Sequence, residues 1–254
     1  MKYFSFLLLF LFFGVCPTKA DDMAWPNIQN LKRADAENVY DRPYSLTENK
    51  IDKPLLYKNT TVLVGFGVGT MAFLYSMPSS FTNWDSDDHR NPLQKWWRNV
   101  SRGPVWDKDD LFLNYVTHPY AGAIYYMGAR STGANAGYSF LYSFALSTFF
   151  WECGIEAFAE RPSIQDLIVT PVFGSLLGEG FYMAKRSILG NDGKLWGSTA
   201  AGTTALFLMD PMTEISTRFF PKRSPEDNRV SFSSQPIISR NYSIGYGLRM
   251  TVTF

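Results

Sequence analysis

The stretch STFFWECGIEAFAERPSIQDL, Ser147–Leu167, decides how this chain is read. It is rich in aromatic and aliphatic residues, yet it carries Glu152, Glu156 and Glu160 and, past Arg161-Pro162, Asp166. The three glutamates recur at every fourth position, so a helix sets them on one side. Phe149, Phe150, Trp151, Ile155 and Phe158 fill nearly every other angle of that helix, so at least one glutamate should face the interior. A buried carboxylate is costly unless it is paired or protonated. Glu160, beside Arg161 at the end, reads as solvated.

Working outward, the same apolar, helical character recurs. Val62–Met77, after Asn59-Thr60-Thr61, is too long for a typical strand and reads as a helix despite Gly65, Gly67 and Gly69. Leu111–Arg130 is a second, containing Asn114, His118 and Pro119. Gly137–Glu160, 24 residues long, is a third. Ser163–Leu189 opens with Ser163-Ile164-Gln165-Asp166, in which the hydroxyl and the carboxylate can satisfy free amides of the first turn. Pro171 should kink or delay that helix, and Gly174 and Gly178 give it a face that another backbone can approach closely. Trp196–Met209 is small and apolar and stops at Asp210-Pro211. Between these, residues 81–110 are polar and carry Trp84, Trp96, Trp97 and Trp106, which suit either a membrane–water boundary or a loop pinned by its indoles.

The period changes at the C-terminus. From Tyr242 to Phe254 every even position is apolar (Tyr242, Ile244, Tyr246, Leu248, Met250, Val252, Phe254) and every odd one is Ser, Gly, Arg or Thr. That is a strand pattern, with Val230–Ile238 as a partner. The terminal strand is similar to the last strand of bacterial outer-membrane barrels, though a single-chain barrel needs at least about eight strands. The expected fold is mainly α: a compact bundle of about five apolar helices with a C-terminal β-hairpin or an outer-membrane-type terminal strand.

The N-terminus reads as a secretory leader. Lys2 is followed by the apolar run Phe4–Val15, and small residues stand at Thr18 and Ala20. A lipoprotein reading through Cys16 is disfavoured by Val15, where that cleavage site wants a small residue. Removal of the leader leaves Cys153 as the lone cysteine, so no intrachain disulfide can form. In its apolar run it reads as a structural thiol. The formal charge of +1 and the lack of a basic stripe argue against a nucleic-acid partner. Aromatic residues make up 17% of the chain, a load that fits a membrane-associated protein. The mean hydropathy of −0.13 is too low for a protein made mostly of spans.

The domain expectation is a signal peptide at 1–20, a polar and loosely packed arm at 21–58, a helical domain at 59–221 and a C-terminal β segment at 222–254. Within the helical domain the candidate site residues are His118, Glu152, Glu156, Asp166 and Glu179, gathered as a polar centre between helices. Three readings stand open. Inward carboxylates with a histidine are the stuff of di-metal bundles, but the Glu-x-x-His signature is missing and no metal or cofactor is assigned. His118 with Glu152 or Glu156 could serve as the acid–base pair of a lipid- or cell-wall-directed hydrolase, although Ser139, Ser147, Ser163 and Ser175 lack the nucleophile-elbow pattern. The third reading is structural: glutamates held by Arg130, by Tyr and Trp donors, or by backbone amides.

The run from Asn114 to Glu179 also resembles a family of exported bacterial proteins known as a domain of unknown function. The likeness rests on NYVTHPYAG with His118-Pro119, on the Ser147–Leu167 string, and on TPVFGSLLGE. It implies a mostly helical envelope domain, sometimes followed by β-rich sequence, and brings no reaction or ligand with it. A looser likeness to VanZ-like and small periplasmic lipoprotein domains concerns helix arrangement only. The resulting expectation is an exported protein of the periplasm or outer membrane in a structural or binding role. Its partners would be membrane lipid or an outer-membrane protein.

Overall fold

The computed structural model describes residues 39–77, 91–106, 111–220, 230–238 and 244–252. The leader at 1–20, the arm as far as residue 38, Trp84, His89 and Phe254 lie outside the described residues. The chain divides into two units, Met1–Ser216 and Thr217–Phe254. The described fold is mainly helical.

In the first unit α1 is Lys53–Ser76 and α2 is Pro92–Ser101. A π-helical stretch, Leu113–Thr117, leads into α3, His118–Arg130. Helix α4, Ala136–Ala145, runs on as a longer π-helical stretch, Leu146–Ile155, and a 3-10 turn, Glu156–Phe158. Then come α5, Ile164–Gly190, α6, Thr199–Met209, and α7, Pro211–Phe219. The end of α5 lies where Gly190-Asn191 breaks the pattern. Pro171 does not delay α5, which starts at Ile164 and continues through it.

Two helices depart from the sequence reading. Helix α2 stands in what reads as a polar loop, with Pro92 at its first turn and Trp96 and Asn99 turned inward. Trp96 Nε1 donates to the Cys153 carbonyl at 2.8 Å, and Asn99 Nδ2 donates to the Ala157 carbonyl at 2.9 Å. These donors satisfy carbonyls at the end of the long helical run, where intrahelical partners give out. Trp96 is thus a pinning indole, whereas Trp97 and Trp106 are exposed. Helix α7 begins where Asp210-Pro211 reads as a stop. Asp210 Oδ1 accepts the Thr213 N–H at 3.2 Å, so the pair is an N-cap followed by proline at N1.

The later part of the arm is not loose. Lys50 N–H donates to the Gly133 carbonyl at 3.0 Å, Asp52 N–H to Thr132 at 2.8 Å, and Tyr40 Oη to Ser131 Oγ at 2.8 Å. Gly133 has a φ of +94°, and a Cβ there would lie 2.3 Å from the Lys50 carbonyl oxygen, so only glycine fits the turn.

The central packing is a parallel pairing of α3 and α5. His118 meets Thr170, Gly122 meets Gly174, Tyr126 meets Gly178, and Arg130 meets Tyr182. Each pair is 52 residues apart, the separation of His118 and Thr170, so the two helices run side by side in one register. A Cβ on Gly174 would stand 2.6 Å from Gly122 Cα, and one on Gly122 would stand 1.9 Å from the Thr170 carbonyl oxygen. The close-approach face expected from Gly174 and Gly178 is therefore used, against α3. Beside it Leu63, Ile124, Tyr125, Leu146 and Met212 make an apolar core. Each such side chain contributes roughly 1.5–3 kcal/mol on burial.

The second unit takes in the last residues of α7, and past them its described backbone is extended. Val230–Ile238 (β1) lies antiparallel to Ile244–Val252 (β2), with Val230 opposite Val252 and Ile238 opposite Ile244. Two strands alone are marginal in water.

Candidate functional site

The α3–α5 register carries His118 onto the first turns of α5. Its Nδ1 lies 3.2 Å from Thr170 Oγ1 and 3.5 Å from Asp166 Oδ1. The start of α5 is fixed from two sides. Val105 pairs with the segment before it, donating to the Pro162 carbonyl and accepting from Ile164 N–H, each at 2.9 Å. Ser163 Oγ then accepts the Asp166 N–H at 3.2 Å, as the capping pattern predicts.

The other half of that cap comes from elsewhere. The Ser163 N–H donates to Glu152 Oε2 at 3.0 Å, so a glutamate of the neighbouring helix stands where the carboxylate of Asp166 was expected. Asp166 turns to His118 instead. One ligand-type atom each of His118, Glu152 and Asp166 falls within 4.8 Å of the others, and all three residues are buried. Both π-helical stretches of the unit border this cluster: one ends at Thr117, next to His118, and the other contains Glu152. A π-helix winds more widely than an α-helix, and such turns are frequent at functional sites.

Glu156 follows one turn on and is also buried. Burial, opposed by the Ser163 N–H and reinforced by Asp166, pushes the Glu152 carboxyl up to about 8. Glu156 is held well above the ordinary carboxylate range by burial and then by the charges of Glu152 and Glu160. Two carboxyls so close cannot both ionise cheaply in a low-dielectric interior. Burial also raises the Cys153 thiol, with Glu152 as the next cause, which leaves it a poor nucleophile.

Glu179 is not part of this cluster. It sits 13 residues beyond Asp166 on α5, about 20 Å along the axis at the usual helical rise. There it accepts from Arg130, with Nε to Oε2 at 2.9 Å and Nη2 to Oε1 at 3.0 Å, and from Tyr126 Oη. Burial raises its carboxyl, but the Arg130 and Tyr126 hydrogen bonds outweigh this and hold it below the ordinary value. Arg130, itself buried, also reaches the carbonyls of Ala134 (2.8 Å) and Ser45 (2.7 Å) and lies 4.1 Å from the Tyr182 ring centre. Here the structural reading of the buried acids describes what is seen.

The sequence reading misses a further polar group. Lys185, on α5, donates to Asp210 Oδ2 at 2.8 Å and to Glu214 Oε1 at 3.2 Å, and all three are buried. Ser131 Oγ also donates to Asp210. The available signal was the one lysine of α5, on a helix whose other charges are Asp166, Glu179 and Arg186; a lysine must find a counter-charge if buried.

Of the four serines weighed as nucleophiles, Ser163 is spent on its cap, while Ser139 donates to the Asn135 carbonyl and Ser147 to that of Phe144. Ser175 is buried on α5. The hydroxyl that faces His118 belongs to Thr170.

Residues 103–212 match the family model of DUF3943, a domain of unknown function. The DUF3943 match agrees with the resemblance noted in the sequence. It takes in His118, Glu152, Glu156, Asp166 and Glu179, with Arg130, Lys185 and Asp210. No curated protein and no solved structure matches the chain.

Proposed function

We propose that this is an exported cell-envelope protein that docks on a lipid surface, at the outer membrane, through its helical unit. The observation that carries the reading is an inversion of polarity. The charged side chains of Glu152, Asp166, Lys185 and Asp210 are buried, while large apolar ones stand exposed. On α5, Ile168, Val172, Leu176 and Met183 recur at spacings of four, four and seven residues and are 55%, 40%, 69% and 50% exposed. They form a stripe along one side of the helix, with exposed Phe173 next to it. Exposed apolar surface of this kind marks an interaction site. α5 is also long and apolar enough by length and composition to cross a membrane, though 39% of its apolar window is buried within the fold. The leader-like residues 1–20 and the alternating Tyr242–Phe254 support export and an outer-membrane address.

The test is flotation of the purified mature chain with anionic phospholipid vesicles, alongside a Val172→Asp, Leu176→Asp variant. The wild type should float with the vesicles and the variant should stay at the bottom with unchanged helical content. A wild type that remains monodisperse without detergent and ignores vesicles would sink the reading. So would a doubly charged variant that floats as well as the parent.

A further inference from the structure

Three features of the His118 cluster point to a ligand that side chains do not supply. The first is spacing. His118 Nδ1 and Asp166 Oδ1 are 3.5 Å apart, beyond the usual hydrogen-bond range. Two ligands on a tetrahedral ion with bonds near 2.1 Å stand about 3.4 Å apart, so this separation suits an edge of such a site. A Glu152 carboxyl oxygen lies within 4.8 Å of a donor atom of each, in range of a third position.

The second feature is an unmet acceptor. Glu152 is 1% exposed; Oε2 takes the Ser163 N–H, and Oε1 meets no donor apart from the neighbouring Glu156 carboxyl. Glu156 Oε2, one turn on, is buried in the same condition. Without a cation the two buried carboxyls depend on a shared proton, and a cation is the group that answers several such oxygens at once. The third is placement: the three residues come from three separate helical segments, two of them bordered by π-helical turns. A histidine nitrogen with two carboxylate oxygens is a donor set for a borderline divalent ion.

We propose that His118, Glu152 and Asp166 bind one divalent transition-metal ion of the zinc type. On binding, His118 Nδ1 exchanges its 3.2 Å contact with Thr170 Oγ1 for the ion, while the Ser163 amide orients Glu152 and Glu156 stands behind Glu152 as its neighbour. The assignment is independent of lipid docking, because every donor is internal to the helical unit.

The full chain, purified in mild detergent and stripped with a chelator, is equilibrated with zinc chloride, desalted and assayed for metal. Retention of about one zinc per chain is expected, with a raised melting temperature. Changes in the shell around a metal weaken binding by about 10–100-fold, so loss of a ligand in Glu152→Gln or His118→Gln should weaken zinc at least about 100-fold. His89→Ala should keep the metal. Glu152→Gln preserves an acceptor for the Ser163 amide, so its circular dichroism should match the parent. Failure of the wild type to retain zinc overturns the proposal, as does equal retention by Glu152→Gln or His118→Gln. Should those variants not fold, cobalt loading of the wild type decides. Visible ligand-field bands of a four- or five-coordinate ion uphold the site; the pale spectrum of the hydrated ion overturns it.

Discussion

Glu179→Gln tests whether the acid on the DUF3943 segment farthest from the cluster is structural. The exchange keeps size and one acceptor but removes the charge that faces Arg130. Arg130 is 3% exposed and Glu179 16% exposed at the side chain, so the guanidinium would be left with a neutral partner in a largely dry setting. Breaking a buried pair from one side costs about 3–5 kcal/mol. The partial exposure of Glu179 and the retained amide oxygen put this case near the lower end. For a chain of this size each kcal/mol moves the melting temperature by about 2–4 °C, so a fall of about 6–12 °C is expected. The double variant Arg130→Met, Glu179→Leu removes both charges and should recover part of the loss. It should not recover all of it, because the Ala134 and Ser45 carbonyls lose their donor. Each is worth about 1 kcal/mol. Melting followed by circular dichroism in mild detergent measures all three proteins. A Glu179→Gln variant that melts within about 2 °C of the parent, or a double variant less stable than the single, would refute the reasoning.

Other outcomes follow from the same contacts. Glu179 has a folded carboxyl below its ordinary value of 4.5, so its stabilisation is present above that pH and is lost as pH falls through the folded value. Between about pH 5 and pH 3 the parent should lose more melting temperature than Glu179→Gln. Gly174→Ala should cost at least about 2 kcal/mol or abolish folding, because its Cβ would meet the Gly122 backbone. Gly180→Ala on the same helix meets nothing within 4 Å and should stabilise by up to about 1 kcal/mol, as read from paired melting curves. Lys185→Met would strand Asp210 and Glu214 in the interior and cost about 3–5 kcal/mol. The added loss of Asp210 and Glu214 as Asn and Gln should return much of it.

What the sequence made legible were features of short range. The Ser163 cap, the Gly174–Gly178 face and the inward turn of Glu152 all follow from spacing within one helix. Helix α2 was hidden because its charges and indoles resemble a loop, although Pro92 at the first turn is a helix-start signal. Asp210-Pro211 reads equally well as an end and as a beginning, and only the Thr213 amide on Asp210 decides. The error over Glu179 had another source. Acids in apolar runs look alike in a sequence, and their grouping depends on the pairing of α3 with α5, a contact across 52 residues. The exchange of cap partners, in which Glu152 takes the Ser163 amide and Asp166 turns to His118, is of the same long-range kind.

The bare meeting of Gly122 and Gly174 has one more consequence. Two rods that touch main chain to main chain cannot slide past each other, since any shift drives a side chain into the gap. The 52-residue pairing that sets His118 against Thr170 and Asp166 is therefore locked by bare backbone contact, and the cluster inherits its rigidity from two glycines that carry no chemistry of their own.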